Sequence, residues 1–231
     1  MPAIGISQVN EKMKDTQQQK LFRSENGGIR EALNTFEGIA FQEDPLDFFI
    51  VLARYKFAVR QLKKTDVVLD AGCGPGYGAV FLSEFAGRVV GGDVDAELVR
   101  RNREVYSKVP NLSFEEINLL DRELSCDPFD AVVSMDVIEH FSEEQADGVV
   151  ANYARLTKDD GFALIGTPNI ASRQYASQRR LDSHPKEYDP EEFVALLERY
   201  YSRVFLFSMT DEAVSTGFPK MAWYLMALCI K

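Results

Sequence analysis

The run Val67-Val68-Leu69-Asp70-Ala71-Gly72-Cys73-Gly74-Pro75-Gly76-Tyr77-Gly78 decides the fold. An apolar strand runs into an acidic residue and then into a turn with glycine at 72, 74, 76 and 78. Glycine lets the backbone turn with φ > 0 and brings the main chain close to a ligand with no Cβ between them. A strand entering such a loop, with a helix behind it, builds a nucleotide-type cofactor site at the C-terminal edge of a parallel sheet.

Strand and helix signals alternate outward from this point. Apolar runs predict strands near 66–71, 88–93, 112–117, 129–135 and 161–167, and helical periodicity predicts helices near 76–86, 96–107 and 142–157. That order means βαβ units and an α/β, Rossmann-like, mostly parallel sheet. Asp95 is placed to cap the second helix, and Ser142 to cap the third through the box Ser142-Glu143-Glu144-Gln145. A helix over 45–63 precedes the first strand, behind a polar, glutamine-rich lead-in. The segment Pro168 to Asp189 has no clear periodicity; a helix from Glu191 to Tyr201 follows, then strands near 203–209 and 221–230 that suit an antiparallel hairpin. The division is a lead-in and helical cap over 1–64 and a cofactor-binding domain over 65–231, one domain overall.

Composition narrows the partners. The formal net charge is −10, whereas polyphosphate partners want a basic face. Nucleic acid and anionic membranes are therefore disfavoured, although one local arginine can still hold a small anion. No apolar run approaches the roughly 20 residues needed to cross a bilayer, so membrane insertion is not expected. The first residues lack the basic start and apolar stretch of a signal peptide, and three cysteines (Cys73, Cys126, Cys229) without metal-type spacing fit a reducing, cytoplasmic location.

The glycine loop alone does not choose a cofactor. Gly74, Gly76 and Ala79 satisfy the loose dinucleotide pattern, and Asp93, ending the second strand, is placed for ribose hydroxyls in either class. Asp70 can also be read as a turn-forming or capping aspartate. Taken together, Asp70 to Gly76, Gly92-Asp93-Val94-Asp95 and Phe129 to Met135 resemble, in order, the motifs of class I S-adenosylmethionine-dependent methyltransferases. The resemblance covers roughly 66–230 and implies a seven-stranded sheet ending in the hairpin, with S-adenosylmethionine as cofactor and S-adenosylhomocysteine as product. It implies that Gly72, Gly74 and Gly76 pass under the methionine and ribose portions, that Asp93 binds the ribose, that Val94 packs on adenine and that Met135 lines the reacting end. Where family members usually carry an aspartate for the adenine amino group this chain has Asn118, followed by Leu119. Arg54 is a candidate partner for the cofactor carboxylate or, alternatively, part of a solvated helix face.

Methyl transfer to a hydroxyl needs a base, or a cation to lower the hydroxyl pKa. The chain has two histidines, His140 in Asp136-Val137-Ile138-Glu139-His140 and His184 in His184-Pro185-Lys186-Glu187-Tyr188. Either can act as general base. Alternatively Asp136, Glu139, His140 and His184 bind a divalent cation, since D-x-x-E-H resembles the E-x-x-E-H of ubiquinone-pathway and small-RNA 2′-O-methyltransferases. A purely structural role is the third possibility. Arg173, Arg179 and Arg180 form a candidate clamp for a phosphorylated acceptor or, equally, a solvated loop face. Gly166-Thr167-Pro168-Asn169, Arg54-Tyr55-Lys56-Phe57-Ala58 and the His184–Tyr188 run resemble elements of polysaccharide and cell-surface sugar methyltransferases. The expected activity is methylation of a hydroxyl, less readily an amine, of a small acceptor such as a sugar, nucleotide sugar or glycan precursor. Quinone-precursor phenols, RNA ribose and a non-catalytic cofactor-binding role are the alternatives.

Overall fold

The computed structural model describes residues 45–121, 124 and 126–231. The glutamine-rich lead-in lies outside the described residues. Helix α1 (Pro45–Val59) leads into β1 (Val67–Ala71), α2 (Tyr77–Ser83), β2 (Arg88–Asp93), α3 (Ala96–Val105), β3 (Leu112–Glu116) and β4 (Phe129–Met135). After a 3₁₀ turn (Ile138–His140) come α4 (Glu143–Leu156), β5 (Thr157–Pro168), a second 3₁₀ turn (Ile170–Tyr175), α5 (Gln178–Ser183) and α6 (Pro190–Leu197). Strands β6 (Arg203–Thr210), β7 (Ala213–Ser215) and β8 (Tyr224–Ile230) complete one sheet, in the order β3-β2-β1-β4-β5-β8-β6-β7.

Strands β1 to β5 pair in parallel, while β8 runs antiparallel between β5 and β6. The order reverses between β1 and β4, the switch point at whose carboxyl ends ligands bind in open α/β sheets. Alternation along β1 supplies both cores: Val68 belongs to the cluster that includes Leu82, Ala58 and Tyr55, and Leu69 to the one that includes Val132, Tyr153 and Phe193. Burying a side chain such as Leu69 or Leu82 completely stabilises the fold by about 1.5–3 kcal/mol. Helix α1 is fastened by aromatic contacts, Tyr55 and Phe48 against Tyr77 and Phe57 against Phe207. The expected caps form: the Asp95 side chain accepts from the N–H groups of Glu97 and Leu98, and Ser142 and Gln145 make the reciprocal box.

The sheet differs from the expected seven strands by a short edge strand, β7, which folds back on β6. Three residues are too few to leave an alternating pattern. The aperiodic segment also has structure, the Ile170–Tyr175 turn and α5, organised around Asn169. Asn169 is fully buried; its Nδ2 donates to the carbonyls of Pro219 (2.8 Å) and Ala222 (2.9 Å), and its Oδ1 accepts from Ala171 N–H (3.1 Å). No periodicity encodes such a staple. Asn169→Ala leaves three backbone groups unpaired and is expected to cost about 2–4 kcal/mol. A urea midpoint that falls with an unchanged slope checks this.

Candidate active site

Beyond β1 the chain turns through Gly72, Gly74 and Gly76, with φ of 78°, 49° and 89°. A Cβ on Gly72 would lie 2.5 Å from Val137 Cγ2, so the turn demands glycine both sterically and conformationally. A Cβ on Gly74 would meet nothing within 4 Å, which leaves the main chain there approachable. Asp93 closes the loop from below: Oδ2 accepts from Gly74 N–H (2.8 Å) and Oδ1 from Asp95 N–H (3.0 Å). Each oxygen keeps a further lone pair for a ribose hydroxyl. Asp70 is fully buried, accepts a 3.3 Å hydrogen bond from the Tyr55 hydroxyl at Oδ1, and has no partner at Oδ2. Burial pushes its pKa up to about 7, the Tyr55 bond pulls it back, and the Asp93 charge adds to the rise.

These residues fit an adenosyl cofactor. A buried acceptor atom lacks a donor, an approachable glycine turn adjoins a carboxylate with spare lone pairs, and Val94 stands 64% exposed just past Asp93 as an apolar surface for a base. Asn118 follows β3 as expected, but its Oδ1 already accepts from Leu120 N–H (3.0 Å), so an adenine amino group would share that oxygen. Leu119 is buried, and its carbonyl is held by Asn152. Met135 is buried at the end of β4.

Arg54 is not on a solvated face. It is 9% exposed, ion-paired with Asp136, and stacked 3.8 Å from the centroid of the Tyr224 ring. Asp136 adopts a left-handed backbone (φ 57°) and its N–H points to Gly166 O (3.1 Å) and the Tyr224 hydroxyl (3.3 Å). The Arg54 guanidinium thus holds the carboxylate expected to ligate a cation. This corrects the four-residue set: Glu139, His140 and His184 come together and Asp136 does not join them, the ligand atoms of the three lying within 4.8 Å of one another.

Glu139 is fully buried in the 3₁₀ turn after β4. The Thr167 hydroxyl donates to its Oε2 (3.0 Å), and Oε1 has no partner. Burial, then the Asp136 charge, push its pKa up to about 8. His140 Nδ1 lies 2.9 Å from Ser183 O. A carbonyl only accepts, so that nitrogen carries the proton and Nε2 keeps its lone pair. His184 Nδ1 lies 3.0 Å from Glu187 Oε1, and the rings meet edge to face at 4.9 Å. Burial lowers the His184 pKa, the Glu187 bond opposes this, and the His140 charge lowers it further.

The arginine clamp is also corrected. Arg180 donates to Glu187 through Nε (2.8 Å) and to Ser172 through Nη2 (2.8 Å); Arg173 pairs with Glu187 at 3.7 Å; Arg179 is exposed. Two of the three cations are spent on a buried internal carboxylate rather than kept for an acceptor phosphate. Sequence reasoning gave Tyr55, Thr167 and Glu187 no individual role, although all three lie in runs singled out by resemblance.

Residues 68–161 match a methyltransferase domain family. Over 132 residues the chain is 33% identical to a probable S-adenosylmethionine-dependent methyltransferase of Mycolicibacterium smegmatis, covering 57% of this chain and 49% of that protein. Over 131 residues it is 30% identical to a similarly described protein of Mycobacterium tuberculosis, covering 56% of this chain and 46% of that protein. The chain spans about half the length of these curated relatives. Among solved structures, a TehB-like methyltransferase from Corynebacterium glutamicum superposes with a TM-score of 0.60 at 22% identity, covering 78% of this chain and 87% of that one. The methyltransferase domain of bacterial CtHen1 gives 0.62 at 20%, covering 79% and 100%; these likenesses concern the fold. Residues 68–161 are thus similar to a methyltransferase domain, and the curated relatives matched over this part of the chain are described as S-adenosylmethionine-dependent. Among the described residues no helix is long and apolar enough to cross a membrane.

The raised Asp70 pKa has a signed consequence. The folded state binds this proton more tightly than the unfolded chain, so stability falls as pH rises from about 4 through about 7. Asp70→Asn is expected to match the parent near pH 4 and exceed it at pH 8, by on the order of a few kcal/mol at most, in urea titrations of the cofactor-free protein across that range.

Proposed function

We propose that this chain transfers the methyl group of S-adenosylmethionine to a hydroxyl of a small acceptor, with Glu139, His140 and His184 handling the hydroxyl. The single observation that carries this reading is the composition of that cluster. A buried carboxylate with one unpartnered oxygen stands beside two imidazoles whose Nδ1 atoms are both engaged. Two histidines and one carboxylate, the imidazoles tied from behind by a carbonyl and a carboxylate, are the donor set of a divalent-cation site. A cation held there lowers the pKa of an acceptor hydroxyl.

The bound cofactor supplies an electrophilic methyl on a sulfonium. The chain contributes the rest: the glycine turn admits the cofactor, Asp93 orients its ribose, and the β4 and β5 ends hold the acceptor beside Met135. Holding nucleophile and methyl in line is itself a large part of the acceleration. A hydroxyl-rich acceptor such as a sugar, nucleotide sugar or glycan precursor is supported by the Arg54–Ala58, Gly166–Asn169 and His184–Tyr188 resemblances. The net charge of −10 disfavours RNA.

Release of S-adenosylhomocysteine across sugars, phenolic quinone precursors and RNA, with and without EDTA, tests the reading. Turnover is expected on a sugar, lost with EDTA and restored by Mg²⁺. Turnover that survives EDTA assigns the proton to a histidine base instead, and turnover confined to phenols or RNA overturns the acceptor. Glu139→Gln is expected to weaken Mn²⁺ binding by about tenfold or more while leaving S-adenosylmethionine affinity near the parent value, as read by calorimetry.

A further inference from the structure

Resting on that reading of the histidine site, we propose that Glu187 is a positioning residue that sets the His184 tautomer and, through the strap it closes, presents both imidazoles with Nε2 as the ligating or accepting atom. Glu187 lies outside the cluster, and its side chain is fully buried. Such a carboxylate is expensive to bury unless paired. Here it has three cationic or donor neighbours: Arg180 Nε at 2.8 Å and His184 Nδ1 at 3.0 Å on Oε1, and Arg173 at 3.7 Å on Oε2. Arg180 can only donate to Oε1, so that oxygen acts as the acceptor it presents to His184 Nδ1 as well. The proton must then sit on Nδ1, and the lone pair on Nε2.

The same contacts fix the second ring. Arg180 also grips Ser172, and Arg173 Nη1 donates to the carbonyl of His184 (3.4 Å). Helix α5 is thereby pinned at its middle and at its C-cap, and its last residue, Ser183, supplies the carbonyl that accepts from His140 Nδ1. One buried carboxylate, two arginines and one short helix therefore impose the same tautomer on two imidazoles from distant parts of the chain. A purely structural ion cluster has no reason to place an acceptor behind each ring. Partners of this kind, tied to the far side of a ligating imidazole, typically alter cation affinity 10–100-fold when removed, as a rough range.

The test uses the chain's two histidines. In ¹⁵N-histidine-labelled protein a long-range ¹H–¹⁵N spectrum contains only these two imidazoles and reports each tautomer without any cation present. Both are expected as Nδ1–H in the parent at neutral to mildly alkaline pH. In Glu187→Gln the side-chain amide can offer its own N–H to His184 Nδ1. His184 should then move toward the Nε2–H form and Mn²⁺ affinity should fall about tenfold or more, with S-adenosylmethionine affinity retained. A parent His184 found as Nε2–H overturns the proposal, and so does a folded Glu187→Gln that keeps the parent tautomer and Mn²⁺ affinity. Should that variant not fold, the parent spectrum decides alone. A parent that binds no Mn²⁺ yet shows the tautomer, and loses it in Glu187→Gln, upholds the positioning role and removes only the cation reading.

Discussion

The Arg54 guanidinium lies between the Asp136 carboxylate and the Tyr224 ring, and much of the crevice depends on it. Three elements far apart in sequence meet there: α1, the end of β4 and the start of β8. Arg54 is buried while the Asp136 side chain keeps a third of its surface in solvent, so loss of Asp136 strands the more deeply buried charge. The pair also keeps Asp136 at a left-handed φ of 57°, a conformation non-glycine residues adopt only when their surroundings over-determine it. It takes one carboxylate out of the histidine cluster, and the Asp136 charge in turn helps keep the Glu139 proton bound. Fastening the helix, shaping the loop and keeping Asp136 apart from the histidine cluster are thus one interaction.

The crevice gathers several carboxyl groups. Asp70, Asp93, Asp136 and Glu139 gather along the carboxyl ends of β1, β2 and β4, and two of them hold their protons well above the usual carboxylate range. Arg54 is paired within it and Arg173 and Arg180 are committed behind it.

The sheet and cofactor loop were legible because their determinants are local. Glycines at fixed offsets, a carboxylate at each strand end and Ser142 ahead of Gln145 specify geometry within a few residues. The acceptor side is built differently. Asp136 has the right spacing for a cation ligand, but its fate is set by Arg54, 82 residues earlier. Arg173 and Arg180 look like surface cations until Glu187 is seen to be buried. The segment from Pro168 to Asp189 shows no periodicity because it is held by side-chain bonds from Asn169 and Glu187, not by packing of one face. Spacing could bring Glu139, His140 and His184 forward as candidates, yet only the tertiary contacts show which nitrogen each ring has left.

Strand β8 enters the sheet between β5 and β6, although it follows both in the chain. During synthesis, β5 therefore waits with an unpaired edge until residues 224–230 have cleared the ribosome exit tunnel, and an uncovered edge of this kind is open to pairing with other chains. Tyr224 arrives with the same strand, so the Arg54 stack and the wall around Asp136 can assemble only then. The crevice is therefore completed only once β8 has been made, and a translation product ending before β8 would carry the glycine loop without Tyr224 beside Arg54.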